Sequence, residues 1–358
     1  MVVHTPERKE SAHPFSSLDF FEAITRQIIE NEYRISREEA ERIGSIDLSD
    51  ALLLFHYAKR IREHYRGDRV SLCSIVNAKS GACSEDCGFC SQSVHFKTKA
   101  PAYALIEPSE VVKAARQALE DGAQAFSVVI SGKGIKNDQE LNAIGEIVKT
   151  VRREVGIDVH ASVGIVTKEQ IEYLKACGVT MLHHNLETSE RYFPSICTTH
   201  SYRERIQTIQ TARECGMRLC AGGIFGLGED LRDRIDMAFE LRKLGVSVIP
   251  MNFLCAIEGT PLAGQSPLPP MEILSIISLY RFILPDKEIK ICGGRDANLR
   301  DLQSMIFLAG ADSMMIGNYL TTAGREPERD WQMMRDLHLQ WSARGVASEK
   351  GDSNSECE

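Results

Sequence analysis

Apolar residues recur at three- and four-residue spacings over Asp19–Asn31 and Ser49–Tyr65. That period places one face of each segment in a core and predicts helices through residues 17–66. Beyond residue 66 the pattern alternates. Short β-rich runs occur at Val70–Val76, Ala125–Ile130, Asp158–Val163, Thr180–His184, Arg218–Phe225, Ser247–Leu254, Glu288–Cys292 and Ser313–Ile316. Amphipathic helical runs separate them at Pro108–Glu120, Asp138–Glu154, Lys168–Ala176, Tyr202–Cys215, Leu231–Leu244, Pro270–Ile283 and Leu299–Ala309, with a last helix at Glu328–Leu337. Glycines such as Gly122, Gly178, Gly245 and Gly310 punctuate the helix-to-strand links, where a left-handed residue ends a helix. Strands that alternate with helices form right-handed crossovers and a parallel sheet. Eight such units match an α/β fold of the (β/α)8 TIM-barrel type at its usual ~250 residues. An open doubly wound sheet is the alternative. The expected organisation is an N-terminal helical extension over residues 1–66, a barrel over 67–340 and a disordered tail over 341–358.

Composition narrows the function. The chain has 358 residues, 42 Lys and Arg against 50 Asp and Glu, and a net charge of −8. An acidic chain does not attract nucleic acid or anionic membrane in bulk, so a small-molecule substrate is expected. No apolar run approaches the roughly 18 residues of a membrane span. Residues 1–12 are mostly polar and lack the apolar stretch of a secretory signal, which predicts a cytoplasmic protein.

The eleven cysteines are too sparse for a disulfide scaffold. Cys177 and Cys215, each before a helix-ending glycine, read as packed core thiols, and Cys357 falls in the tail. Cys83, Cys87 and Cys90 differ. They form C-x3-C-x2-C in the phrase CSEDCGFC after the first strand. Structural zinc and simple electron-transfer clusters each take four ligands. Three thiolates on one loop leave one iron of a four-iron cluster open, which is a catalytic arrangement. A zinc loop completed by His95 is the bland alternative.

That spacing, with Phe89 beside the last cysteine, resembles the radical S-adenosylmethionine superfamily. The phrase from Ala78 to Ser93 is similar to the biotin synthase family in particular. Further matching blocks lie at residues 184–188, 198–205, 222–229, 250–254, 259–262, 293–300 and 319–324. The resemblance implies a [4Fe–4S] cluster on Cys83, Cys87 and Cys90, whose open iron takes the amino and carboxylate groups of S-adenosylmethionine. One electron then cleaves the cofactor and yields a radical that abstracts hydrogen from an unactivated carbon. The same resemblance assigns Arg205 to the cofactor carboxylate, Asn185 and Glu187 to the ribose and substrate, and Ile224 to the adenine. It assigns Asn252 to the ureido ring of dethiobiotin, and Thr321 and Thr322 to the substrate carboxylate. Glu187 stands where the family has Asp, and His183 where it has Asn.

The family also holds a second, [2Fe–2S] cluster on three cysteines and an arginine. Here those positions are Ser127, His160, Cys220 and Lys290. Cys292 lies two residues beyond Lys290 and so faces the same side of a strand. Cys73 lies on the first strand. Cys73, Cys220 and Cys292 are therefore expected to hold an auxiliary cluster, of four-iron rather than two-iron type, with an open iron for a transferable sulfide; packed core thiols with no second cluster are the alternative. His160 is a candidate fourth ligand, and Cys255 and Cys197 are weaker ones. The expected activity is sulfur insertion into dethiobiotin to give biotin, with flavodoxin or ferredoxin as electron donor and a homodimeric state. Lipoyl-type sulfur insertion, a mutase or a maturase is the nearest alternative. A non-catalytic iron–sulfur carrier is the one from another class.

Overall fold

The structure is a computed structural model that describes residues 17–320 and 324–341. Its strands are β1 (Arg69–Lys79), β2 (Ala125–Ile130), β3 (Asp158–Ser162), β4 (Met181–His183), β5 (Arg218–Cys220), β6 (Gly223–Phe225), β7 (Val248–Phe253), β8 (Glu288–Ile291), β9 (Ser313–Met315) and β10 (Gln340–Trp341). Its helices are α1 (Ser17–Asn31), α2 (Arg37–Gly44), α3 (Ala51–Arg66), α4 (Pro108–Glu120), α5 (Asp138–Glu154), α6 (Lys168–Cys177), α7 (Tyr202–Glu214), α8 (Leu231–Leu244), α9 (Pro270–Ile283), α10 (Arg295–Leu299), α11 (Met305–Leu308) and α12 (Pro327–Asp336). Strands pair in parallel in the order β1, β2, β3, β4, β5, β7, β8, β9. β9 then pairs back onto β1, with Ser71 opposite Ser313 and Cys73 opposite Met315. The sheet is a closed parallel barrel with its helices outside, as the alternating pattern predicts.

The fifth strand is not continuous. β5 and β6 are separated by Ala221 and Gly222, and β6 continues the pairing with β7. A Cβ on Gly222 would lie 2.0 Å from the Pro250 carbonyl oxygen. The Gly222 carbonyl leaves the ladder and accepts hydrogen bonds from the Leu186 and Glu187 amides (2.9 and 3.2 Å). A period-two pattern cannot show such a crossing of backbones. The expected helix Leu299–Ala309 is likewise broken, into α10, a 3₁₀ turn at Arg300–Leu302, and α11. Arg300 has φ +51, which right-handed helix excludes. The Gln303 amide also bonds the Arg295 side chain (3.0 Å) and carbonyl (3.3 Å). Trp341, assigned to the tail by composition, pairs with Val70 as the end of β10. The rest of that tail lies outside the described residues.

Helix α9 is buried at every position from Ile276 to Ile283. It packs between the barrel and α3, and Phe21 of α1 meets Phe282 at 5.8 Å. The N-terminal helices thus cover an apolar helix that would otherwise face water. At the barrel floor, buried Arg281 pairs with buried Asp312, which also accepts from the Ile289 amide (2.9 Å). That bond ties the start of β9 to β8, next to Lys290.

Candidate active site

Loops at the C-terminal ends of the strands surround a cavity of about 290 Å³. Cys83, Cys87, Phe89 and Cys90 line its mouth, and Cys73, Cys220, Lys290 and Cys292 line its floor. Alternation along a strand turns every second side chain inward, which carries Cys73 and Ile75 of β1 to the wall.

The cysteine loop is fixed from two sides. Gln92 closes it from within: its side-chain oxygen accepts from Ser80 Oγ (3.0 Å) and the Gly81 amide (3.1 Å). The segment Ile196–His200 clamps it from outside. The Ile196 carbonyl accepts from the Gly88 amide (2.8 Å). Asp86 accepts from the amides of Thr198 (2.8 Å) and Thr199 (3.1 Å). Burial opposes ionisation of Asp86, but its bonds from Thr198 and Thr199 prevail and hold the carboxyl well below the usual range. Glu85 accepts from Thr199 Oγ1 (2.8 Å) and contacts His200 Nδ1 (2.6 Å).

Cys197 lies 3.7 Å from Cys87 Sγ and 3.3 Å from His200 Nδ1. The Cys87 thiol donates to Cys197, which draws Cys197 down and pushes Cys87 up. Cys197 therefore belongs to the mouth, which corrects its candidacy for the auxiliary set. Cys87, Cys197 and His200 place their donor atoms within 4.8 Å of one another. Cys83, Cys87 and Cys90 do not form so compact a group among the described residues. Cys83 and Cys87 are buried and Cys90 half-buried, and all three are free thiols.

Arg205, Asn185 and Glu187 converge beside this loop. A capping box starts α7: Ser201 accepts from the Glu204 amide and Glu204 accepts from the Ser201 amide. One residue on, Arg205 reaches inward. Its Nη1 donates to the Asn185 carbonyl (2.8 Å) and approaches Glu187 (3.5 Å), and its Nε donates to His200 Nε2 (3.0 Å). Asn185 is pinned by the Gly222 amide (3.2 Å) and donates to Glu187 (3.4 Å). Burial raises the Glu187 carboxyl, and Arg205 opposes that shift. Glu187 has φ +70, a strained conformation for a residue with a side chain. Asn252 lines the cavity and is held by the Gly293 amide (3.0 Å) and the Gly223 carbonyl (3.3 Å). Ile224 pairs with Asn252 across β6 and β7 but is not among the residues that wall the cavity. Thr321 and Thr322 lie outside the described residues.

The floor is a thiol-rich pocket with one cation. Burial raises Cys73, pushes Cys220 up to about 12 and lifts Cys292 well above the usual range. Burial works against the Lys290 charge, but Cys73, Cys220 and Glu288 outweigh it and push its pKa up. Ser127 Oγ is buried without a hydrogen-bond partner among the described residues. His160 is not on the cavity wall; His183 is. His160 is held between Asp158 (3.2 Å) and His183 (3.2 Å), so both ring nitrogens are engaged and its candidacy as a ligand is set aside. Cys255 lies against Asn298 Nδ2 at 3.9 Å, also off the wall.

Sequence reasoning missed Glu85 and Asp86 as site residues, gave Cys197 only as a weaker auxiliary-cluster candidate, and missed His200. The last two fall in the quoted 198–205 block or its edge, but nothing in their spacing tied them to a loop more than a hundred residues earlier.

The radical SAM superfamily model matches residues 78–241, and the biotin and thiamin synthesis associated domain matches residues 250–340. The chain is 49% identical over 318 residues to the biotin synthase of Geotalea uraniireducens, covering 89% of this chain and 96% of that one. It is 52% identical over 305 residues to the biotin synthase of Heliobacterium modesticaldum, covering 85% and 93%. The crystal structure of methylornithine synthase (PylB) superposes with a TM-score of 0.76 at 20% identity, covering 89% of this chain and 97% of that one, and shares the fold. Identity near one half, over most of both chains, shows that the chain belongs to the biotin synthase family.

Proposed function

We propose that this enzyme draws the sulfur it inserts from an auxiliary iron–sulfur cluster held by Cys73, Cys220 and Cys292. The reaction itself is that of the family: radical S-adenosylmethionine chemistry that inserts sulfur into dethiobiotin to give biotin. The observation that carries the proposal is one cavity with two thiol sets, three cysteines at its mouth and three on its floor. A substrate held between them has a radical source on one side and a sulfur source on the other.

Cys83, Cys87 and Cys90 would hold the [4Fe–4S] cluster, which supplies the electron that cleaves S-adenosylmethionine and so starts hydrogen abstraction. Phe89, within that loop and next to Cys90, faces the cofactor from the cavity wall. Arg205 holds the cofactor carboxylate, for which a guanidinium fork is suited. Asn185 and Glu187 orient the ribose and substrate, with Ile224 toward the adenine. Asn252 meets the ureido ring, and Thr321 and Thr322 meet the substrate carboxylate. The enclosing walls keep water from the reacting carbons.

On the floor, soft thiolates select iron–sulfur clusters or zinc over hard cations. Ser127 and His160 replace two ligands of a [2Fe–2S] site, so a four-iron cluster with an iron free for sulfide is the better fit. Lys290 offsets the negative charge such a site accumulates. Residues 17–66 form the extension and 67–341 the barrel. No helix among the described residues is long and apolar enough to cross a membrane. A cytoplasmic setting, a flavodoxin or ferredoxin donor and a homodimer complete the proposal.

The test is iron and sulfide analysis of a Cys83→Ala, Cys87→Ala, Cys90→Ala variant purified without oxygen. About four irons should remain on the floor thiols. A variant without iron has no second cluster, and the sulfur source must then lie elsewhere.

A further inference from the structure

Two buried side chains and the half-buried Arg205 form a line from the cysteine loop to the cofactor pocket. Glu85 sits inside the loop, between Cys83 and Cys87, and its side chain is 8% exposed. His200 is 4% exposed and contacts Glu85 Oε2 through Nδ1 at 2.6 Å. Arg205 is 11% exposed and donates from Nε to His200 Nε2 at 3.0 Å. These contacts assign the protons. Arg205 can only donate, so His200 Nε2 must accept. The imidazole proton is then on Nδ1 and is donated to Glu85.

We infer that His200, oriented by Glu85, is a positioning residue that aims the Arg205 guanidinium at the carboxylate of S-adenosylmethionine. With Nε held by His200 and Nη1 by the Asn185 carbonyl, the guanidinium plane is fixed. An arginine on a helix has many rotamers, and freezing them before the anion arrives removes an entropy cost from binding. The line also links two events. Glu85 takes its position from the loop that carries Cys83 and Cys87, and Thr199 braces it at 2.8 Å. A loop ordered by its cluster therefore sets Arg205 for the cofactor. A disordered loop releases it. The inference rests on Arg205 as the carboxylate contact.

The experiment is a double-mutant cycle on the anaerobic, cluster-loaded enzyme. S-adenosylmethionine affinity is measured for the parent, His200→Ala, Arg205→Ala and the double variant, with iron content and dethiobiotin affinity alongside. His200→Ala should weaken cofactor binding by about tenfold, the size of one charge-assisted hydrogen bond, with iron and dethiobiotin affinity unchanged. The double variant should bind no more weakly than Arg205→Ala, because His200 acts only through the arginine. His200→Gln can accept from Arg205 and donate to Glu85, and should recover most of the lost affinity. If Arg205→Ala leaves affinity unchanged, the carboxylate assignment fails. If it weakens binding while His200→Ala does not, or if the two losses add in the double variant, the positioning role alone fails. Should His200→Ala lose iron, the same cycle run with His200→Gln and His200→Asn decides. Affinity that tracks iron content in those variants, with no coupling to Arg205, overturns the inference.

Discussion

Asp312→Ala removes the partner of a charge that has nowhere to go. The Arg281 and Asp312 side chains are both 0% exposed. Arg281 keeps three other acceptors when Asp312 is lost: the carbonyls of Gly310 (2.8 Å), Pro285 (2.9 Å) and Lys287 (2.8 Å). Those bonds hold the guanidinium in place and prevent its escape to water. Arg66, the other cation on Asp312, is 30% exposed and can relax outward. The cost is therefore dominated by one buried, uncompensated arginine, about 3–5 kcal/mol. The Ile289 amide is orphaned as well. With an unfolding entropy of ~2.1 cal/mol/K per residue, a 358-residue chain loses about 4–7 °C in Tm. Asp312→Asn keeps an oxygen acceptor and removes only the charge, so it should show roughly half of that loss or more. Thermal scans at one scan rate on cluster-loaded protein measure both. A Tm for Asp312→Asn equal to the parent would refute charge pairing as the reason for this buried arginine.

Other outcomes follow from the site. Cys87→Ala should abolish both 5′-deoxyadenosine and biotin formation, read by mass spectrometry. Gly222→Ala places a Cβ 2.0 Å from the Pro250 carbonyl and should lower both Tm and cofactor affinity; an unchanged Tm would mean the strands can part at no cost. Asp86 has a depressed pKa in the fold, so its contribution to stability is complete above the unfolded value of ~3.9 and fades as pH falls below it. The Tm gap between the parent and Asp86→Asn should be constant from neutral pH down to about 5 and close in stronger acid.

Much of the barrel was legible because its signals are periodic. Strand and helix runs alternate, and each repeats the same hydrophobic logic. The break at Gly222 was not legible, because its cause is the Pro250 carbonyl on the next strand. The break at Arg300 was hidden for a similar reason: Gln303 competes for the same backbone through its side chain. In the site, Cys83, Cys87 and Cys90 share one loop, so spacing alone singled them out as candidates, and all three line the cavity. Cys197 and His200 meet that loop only in three dimensions, across more than a hundred residues. His160 shows the limit of position-by-position transfer. It occupies a ligand's place in the sequence, yet Asp158 and His183 take both its nitrogens.

The most direct test of sulfur insertion is anaerobic incubation of reconstituted protein with S-adenosylmethionine, a reductant and dethiobiotin, followed by mass spectrometry. The geometry of one cavity between two thiol sets predicts 5′-deoxyadenosine and biotin together. 5′-Deoxyadenosine without biotin would contradict sulfur insertion and leave the radical chemistry standing, and neither product would contradict both.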